Sequence, residues 1–142
     1  MMFGWHPAAI QFITKHLPSL QRKPTAFFMM AMRLTDIGEK DIEGVPFFTD
    51  PGLSRPAPNP DRLSLPERFS TVRNYLRPVL KNSPGFFPVS VGFFGGKLDT
   101  RRLNPVQWLF VRLILRIPSE DKRNRQAIRS WTADIHEHLS HG

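Results

Sequence analysis

The chain has 142 residues, the size of one ordinary domain, and 40 % of them are hydrophobic, enough for a packed core. It holds no cysteine, which excludes disulfides, thiolate metal sites and cysteine nucleophiles and is compatible with a reducing cytoplasm. The net charge of +8 is polarised: residues 36–61 carry six acids against two bases, and residues 97–129 carry nine bases against three acids. A basic C-terminal half could meet phosphates, nucleic acid or an anionic membrane, but on charge alone it reads as a solvated face. No apolar run reaches the ~18–20 residues that span a bilayer, and the opening MMFGWHPAAI lacks a basic region ahead of an apolar one, so neither a membrane span nor a signal peptide is expected.

The stretch HPAAIQFITKHLPSL predicts a first helix, with Pro7 in its first turn and Ile10, Ile13, Leu17 and Leu20 on one apolar stripe. Pro18 is expected to kink or end it. TAFFMMAMRL, residues 25–34, is apolar without alternation and predicts a strand covered on both faces, as in a parallel sheet. Residues 35–63 have no periodicity and hold the proline-dense run PFFTDPGLSRPAPNPD, so they read as an acidic, exposed loop insertion pinned by Phe47 and Phe48. SLPERFSTVRNYLRPVLKN predicts a helix opened by a Ser64–Glu67 capping box and bent by Pro78. Its buried stripe is Phe69, Val72, Leu76, Val79 and Leu80.

GFFPVSVGFFGGKL supplies a second strand, and strand–helix–strand with short loops predicts a parallel crossover. The run from Trp108 to Ile117 predicts a nearly all-apolar helix bounded by Pro105 and Pro118, with Trp108, Arg112 and Arg116 on one line. At about 18 Å it is too short to cross a bilayer. SEDKRNRQAIRSWTADIHEHL predicts a last helix, capped at Ser119, with Ile128, Trp131, Ile135 and Leu139 facing inward.

The terminal HEHLSH fails the metalloprotease spacing, because position 140 is Ser140, and it reads as a solvated tail rather than a metal site. No nucleophile–base order, phosphate loop or paired carboxylates stand out. Phe93, Phe94, Trp108 and Phe110 sit in apolar runs and read as core, which argues against nucleic-acid binding. Ligands of parallel sheets bind just beyond the strands' carboxyl ends, and Gly95-Gly96 lies at such an end. Glycines there let the chain turn and let a flat ligand approach, although a plain turn explains two glycines equally well.

Gly95-Gly96-Lys97-Leu98-Asp99, the apolar helix from Trp108, and Ala127-Ile128-Arg129-Ser130-Trp131 follow one another as in the flavodoxin-domain proteins related to menaquinone-dependent protoporphyrinogen oxidase. FGWHPAAIQFI resembles the stretch after that family's third strand, and TAFFMMAMRL resembles its fourth. The resemblance covers most of the chain except residues 35–63. It implies an α/β fold, with residues 1–142 forming the C-terminal part of a flavodoxin-like parallel sheet: strands four and five with flanking helices, and strand four left with an open edge. It implies FMN as cofactor, held by Gly4, Trp5 and His6 after strand three, by Met32, Arg33, Leu34 and Thr35 after strand four, and by Gly95, Gly96 and Lys97 at the end of strand five.

The activity implied is that of an oxidoreductase passing electrons from a porphyrinogen toward a quinone in haem biosynthesis. The chain departs from the family pattern in having no Ser/Thr-Gly-rich phosphate loop after a first strand, so weak FMN binding is expected. The competing expectation is a truncated, non-catalytic remnant or protein-interaction module. Further expectations are a homo-oligomer through the open strand edge, and a cytoplasmic location with peripheral contact to the inner face of a membrane through residues 108–117.

Overall fold

The computed structural model describes residues 5–96, 104–110 and 123–140. Helix α1 (Pro7–Leu20) is followed by β1 (Ala26–Ala31), β2 (Leu34–Asp36), β3 (Asp41–Ile42), β4 (Val45–Thr49) and β5 (Ser54–Pro56). Then come α2 (Leu65–Phe69), α3 (Val72–Asn82), β6 (Ser90–Gly95), α4 (Pro105–Phe110) and α5 (Arg125–Ser140). The main sheet runs β1-β6-β4-β3, and β2 and β5 pair separately. β1, β6 and β4 are mutually parallel, and among the described residues only the β3–β4 pair is antiparallel.

The fold is α/β, with a mostly parallel sheet between two helical layers. Along β6 the side chains alternate. Val91 and Phe93 face a core containing Val72, Tyr75 and Leu76 of α3. Phe94, one residue on, faces Ala127, Trp131 and Ile135 of α5. α1 closes the first layer by packing Ile13 with Val79 and Phe86, next to Phe27 of β1.

Both expected strands form and pair in parallel, with Ala31 opposite Gly95. The loop expected over residues 35–63 is corrected. That segment carries β3, β4 and β5, and β4 is the second neighbour of β6, so β6 is an interior strand. Phe47 and Phe48 do join the body, against Phe93 and Phe94, but as members of a strand. Pro46 is compatible because pairing with β6 begins only at Phe47, while Pro46 itself lies opposite Asp41 of β3.

The two-faced burial expected of β1 is also corrected. Phe28 and Met30 remain 57 % and 40 % exposed, because α5 lies over β6 and leaves this face of β1 partly open. The helix expected from Ser64 on is two helices. Ser64 N–H donates to the Glu67 carboxylate (2.6 Å), and this bond holds that carboxyl below its usual range. Thr71 then caps a new helix through Asn74 N–H (3.2 Å). Phe69 therefore stays exposed and Tyr75 takes a core position. Pro18 neither ends nor interrupts α1, which runs on to Leu20. In α5, Ala127 is buried where Leu139 was expected. The Ser119 cap and most of the run from Trp108 to Ile117 lie outside the described residues, of which 105–110 are helical.

Gly92 is where α5 meets the sheet. A Cβ built there would stand 2.6 Å from Phe94 Cε2 and 3.0 Å from Trp131 Cε2, both in packed rings that cannot swing aside. Trp131 is further fixed by its indole N–H, which donates to Ser90 Oγ (3.0 Å). Gly92→Ala should therefore lower unfolding free energy by about 1–3 kcal/mol, the usual cost of overpacking, read as a reduced denaturant midpoint. Gly96→Ala, whose Cβ would meet nothing closer than 3.4 Å, should stay near the parent value.

Candidate functional site

Parallel strands place their carboxyl ends on one rim, and here β1, β6 and β4 end together. Gly96 N–H continues the ladder onto Ala31 O (2.9 Å), and Asp50 N–H donates to Phe93 O (2.8 Å). The rim thus brings Met32, Gly96 and Asp50 to consecutive strand ends. The bare side of Gly96 is bounded by Met30 Cβ at 3.4 Å, Ala31 O at 3.8 Å and Met32 Sδ at 3.8 Å from where a Cβ would sit. These are ordinary contact distances, so crowding does not require glycine at 96 as it does at 92.

The residues from Met32 to Thr35 divide. Met32 and Arg33 are half-buried at the rim, and the Arg33 carbonyl accepts from the Tyr75 hydroxyl (3.1 Å). Leu34 is wholly buried. Thr35 is buried too, its hydroxyl paired with Ser70 Oγ (2.8 Å) and its N–H bonded to Ser70 O (2.8 Å). These two residues begin β2 and face protein.

Trp5 is tied to α3. Its indole N–H donates to Tyr75 O (2.9 Å), and its ring stands edge-on to Phe27 at 5.1 Å. His6 is exposed and caps α1, with Nδ1 accepting from Ala8 N–H (3.2 Å). Gly95 is buried opposite Ala31. Gly4 and Lys97 lie outside the described residues.

Asp50 was not anticipated. It is 1 % exposed, and its Oδ1 accepts from Gly52 N–H and Asn124 Nδ2, both at 2.9 Å. Asn124 in turn accepts from Ala127 N–H (3.1 Å), so this chain of bonds ties the end of β4 to the start of α5. The sequence signal was Asp-Pro-Gly, whose aspartate bonds the backbone two residues on.

Chemically the rim offers methionine side chains beside glycine backbone, with Gly96 itself buried among them. For an anion it offers less, because the N-termini of α3 and α5 are already capped by Thr71 and Asn124. Among the described residues no three metal-ligating side chains come together, and no helix is long and apolar enough to cross a membrane.

A family model described as a flavodoxin domain matches residues 2–125. No curated protein and no solved structure matches the chain.

Tyr75, the only tyrosine, is 4 % exposed, and burial pushes its phenol up to about 12 despite the opposing pull of the Arg33 charge. A raised folded value means the folded chain holds this proton more tightly than the unfolded chain, whose phenol titrates near 10. The contribution is complete below pH ~10 and is lost as pH rises through ~12, roughly 2–3 kcal/mol in all. Ultraviolet titration of the single phenol should show the late midpoint. Tyr75→Phe should remove this segment of the stability–pH curve.

Proposed function

The chain belongs to the flavodoxin-domain family, and from that premise we propose that it binds FMN by its ring, at the rim formed by Met32, Gly95 and Gly96. The observation that carries this reading is the juxtaposition of Met30, Met32 and the bare Gly96 at the carboxyl ends of two adjacent parallel strands. Bound FMN would supply the redox chemistry; the chain supplies an apolar, partly water-excluding wall for a planar heterocycle. Arg33 follows Met32, and its charge acts on Glu67 and Tyr75. The likeness of the Gly-Gly-Lys-Leu-Asp and Ala-Ile-Arg-x-Trp motifs to those of menaquinone-dependent protoporphyrinogen oxidase favours electron transfer from a porphyrinogen toward a quinone. Peripheral membrane contact through the run from Trp108 to Ile117 would suit an apolar acceptor, and Leu109 near its start and Val106 just before it are exposed.

The fit is partial. The ring would meet Met30, Met32 and glycine backbone, whereas for a phosphate the starts of α1, α3 and α5 are already capped by His6, Thr71 and Asn124. Affinity should therefore come from the ring. In titrations followed by flavin fluorescence, riboflavin should bind within about threefold of FMN, and Gly96→Ala should weaken both by roughly tenfold while leaving the melt unchanged. If neither flavin binds the folded protein, the reading fails. The second reading, an interaction module that does not hold FMN tightly, would then stand, favoured by the exposed Phe28 and Met30 on β1.

A further inference from the structure

We propose that β1 is a self-association edge: two copies of the chain pair β1 with β1 in antiparallel register about a two-fold axis at Phe28, forming one continuous sheet. This inference does not depend on flavin binding. Among the described residues β1 is the terminal strand of the main sheet, hydrogen-bonded on one side to β6. The carbonyls of Thr25 and Ala31 accept from Val89 and Gly96 N–H (2.8 and 2.9 Å). By the two-residue alternation of strands, the odd-numbered residues direct their main-chain groups at β6. Those of Ala26, Phe28 and Met30 point to the open side.

These three residues also share a face, the one α5 leaves partly uncovered, and on it Phe28 and Met30 are 57 % and 40 % exposed. The occupant follows from their symmetry. An extended partner must match three outward residues with Phe28 in the middle, and the strand itself does so when reversed. Phe28 then meets Phe28 of the second copy, and Met30 lies over the small Ala26 of the second copy. Each of the three pairs exchanges two backbone hydrogen bonds.

Charge permits the pairing. Ala26–Ala31 has no ionisable side chain, so no like charges face each other along the strand although each copy carries +8. The opposite edge is built differently: β3 is two residues long and its hairpin carries Asp41 and Glu43, a short acidic border of the kind that blocks edge pairing. β1 has no such lysine, proline, bulge or acid. Area sets the strength. One six-residue strand with two apolar side chains per copy falls below the ~1,200 Å² of standard interfaces, so association is weak and concentration-dependent.

Sedimentation of the full chain over a concentration series should show the mass rising from one chain toward two, more steeply at higher salt, which screens the like net charges. Phe28→Lys should leave a single chain at every concentration, with circular dichroism unchanged. Because the chain has no cysteine, single replacements report the register. Phe28→Cys places its Cα about 5.5 Å from its copy, within the disulfide range, while Met30→Cys leaves its own about 15 Å away. Under mild oxidation Phe28→Cys should cross-link at least about tenfold faster than Met30→Cys. This comparison stands even if Phe28→Lys fails to fold. A wild-type chain that stays monomeric throughout, association undiminished by Phe28→Lys in a folded protein, or equal cross-linking at the two positions would each overturn the proposal.

Discussion

The architecture depends on Trp131 lying across the bare backbone of Gly92. β6 is hydrogen-bonded on both sides, so both its faces must be covered by helices. On one face Phe93 meets Tyr75 and Phe47. On the other, Phe94 and Trp131 stand edge-on at 5.5 Å, and the indole reaches the strand only because residue 92 has no side chain. A buried Trp or Phe withdraws roughly 150–250 Å² from water, on the order of 4–6 kcal/mol at ~25 cal/mol/Å². The indole N–H bond to Ser90 contributes about 1 kcal/mol. Burial therefore holds α5 on the sheet, and the hydrogen bond sets its rotation. The Asp50–Asn124–Ala127 chain then fixes where α5 begins, which ties the ligand-side rim to the same helix.

The parts of the fold that could be read in advance were those whose apolar spacing reports a single environment. α1, the stripe of Val72, Leu76 and Val79, and the pairing of β1 with β6 are of this kind. β4 was hidden because proline density is a sound argument against helices and a weaker one against strands. Its five residues tolerate Pro46 at the position that precedes pairing with β6. The turn before it was legible in principle: Glu43 and Gly44 both have positive φ (53° and 84°), the two-residue hairpin geometry that an x-Gly pair favours. The break at Ser70–Thr71 was likewise a second capping signal inside an otherwise continuous pattern. Phe28 and Met30 misled because an unbroken apolar run looks the same whether a strand is covered on both faces or is an edge strand covered on one.

At the site, two different reasons for glycine were folded into one pattern. Gly92 is demanded by protein packing, and an isolated glycine within an apolar strand is the usual signal of such close approach. Gly96 has room for a methyl group, so its bareness is not explained by the protein around it. Position after a strand also does not decide which way a side chain faces. Leu34 and Thr35 follow Met32 and Arg33 directly, yet they start β2 and are drawn inward by pairing with β5 and by the Ser70 hydroxyl. Motif order can place a segment at the rim; only the onset of the next strand separates the residues that remain there from those that turn away.

The polarised charge acquires a structural meaning in this arrangement. The acidic stretch expected to be a loose insertion instead forms one border of the sheet. Its carboxylates serve distinct purposes: Asp41 on the β3 edge, Glu39 bound to Arg73 of α3 at 2.7 Å, and Asp50 buried at the rim. The first keeps a short edge solvated, the second ties the segment to the helical layer, and the third positions α5. The opposite border is six residues long, uncharged and partly apolar. Among the described residues the sheet is guarded at one border and open along β1, and Met30 of that open strand lies against the bare side of Gly96. Whatever lies along β1 therefore borders the candidate ligand rim, so edge pairing and ligand access share one physical boundary.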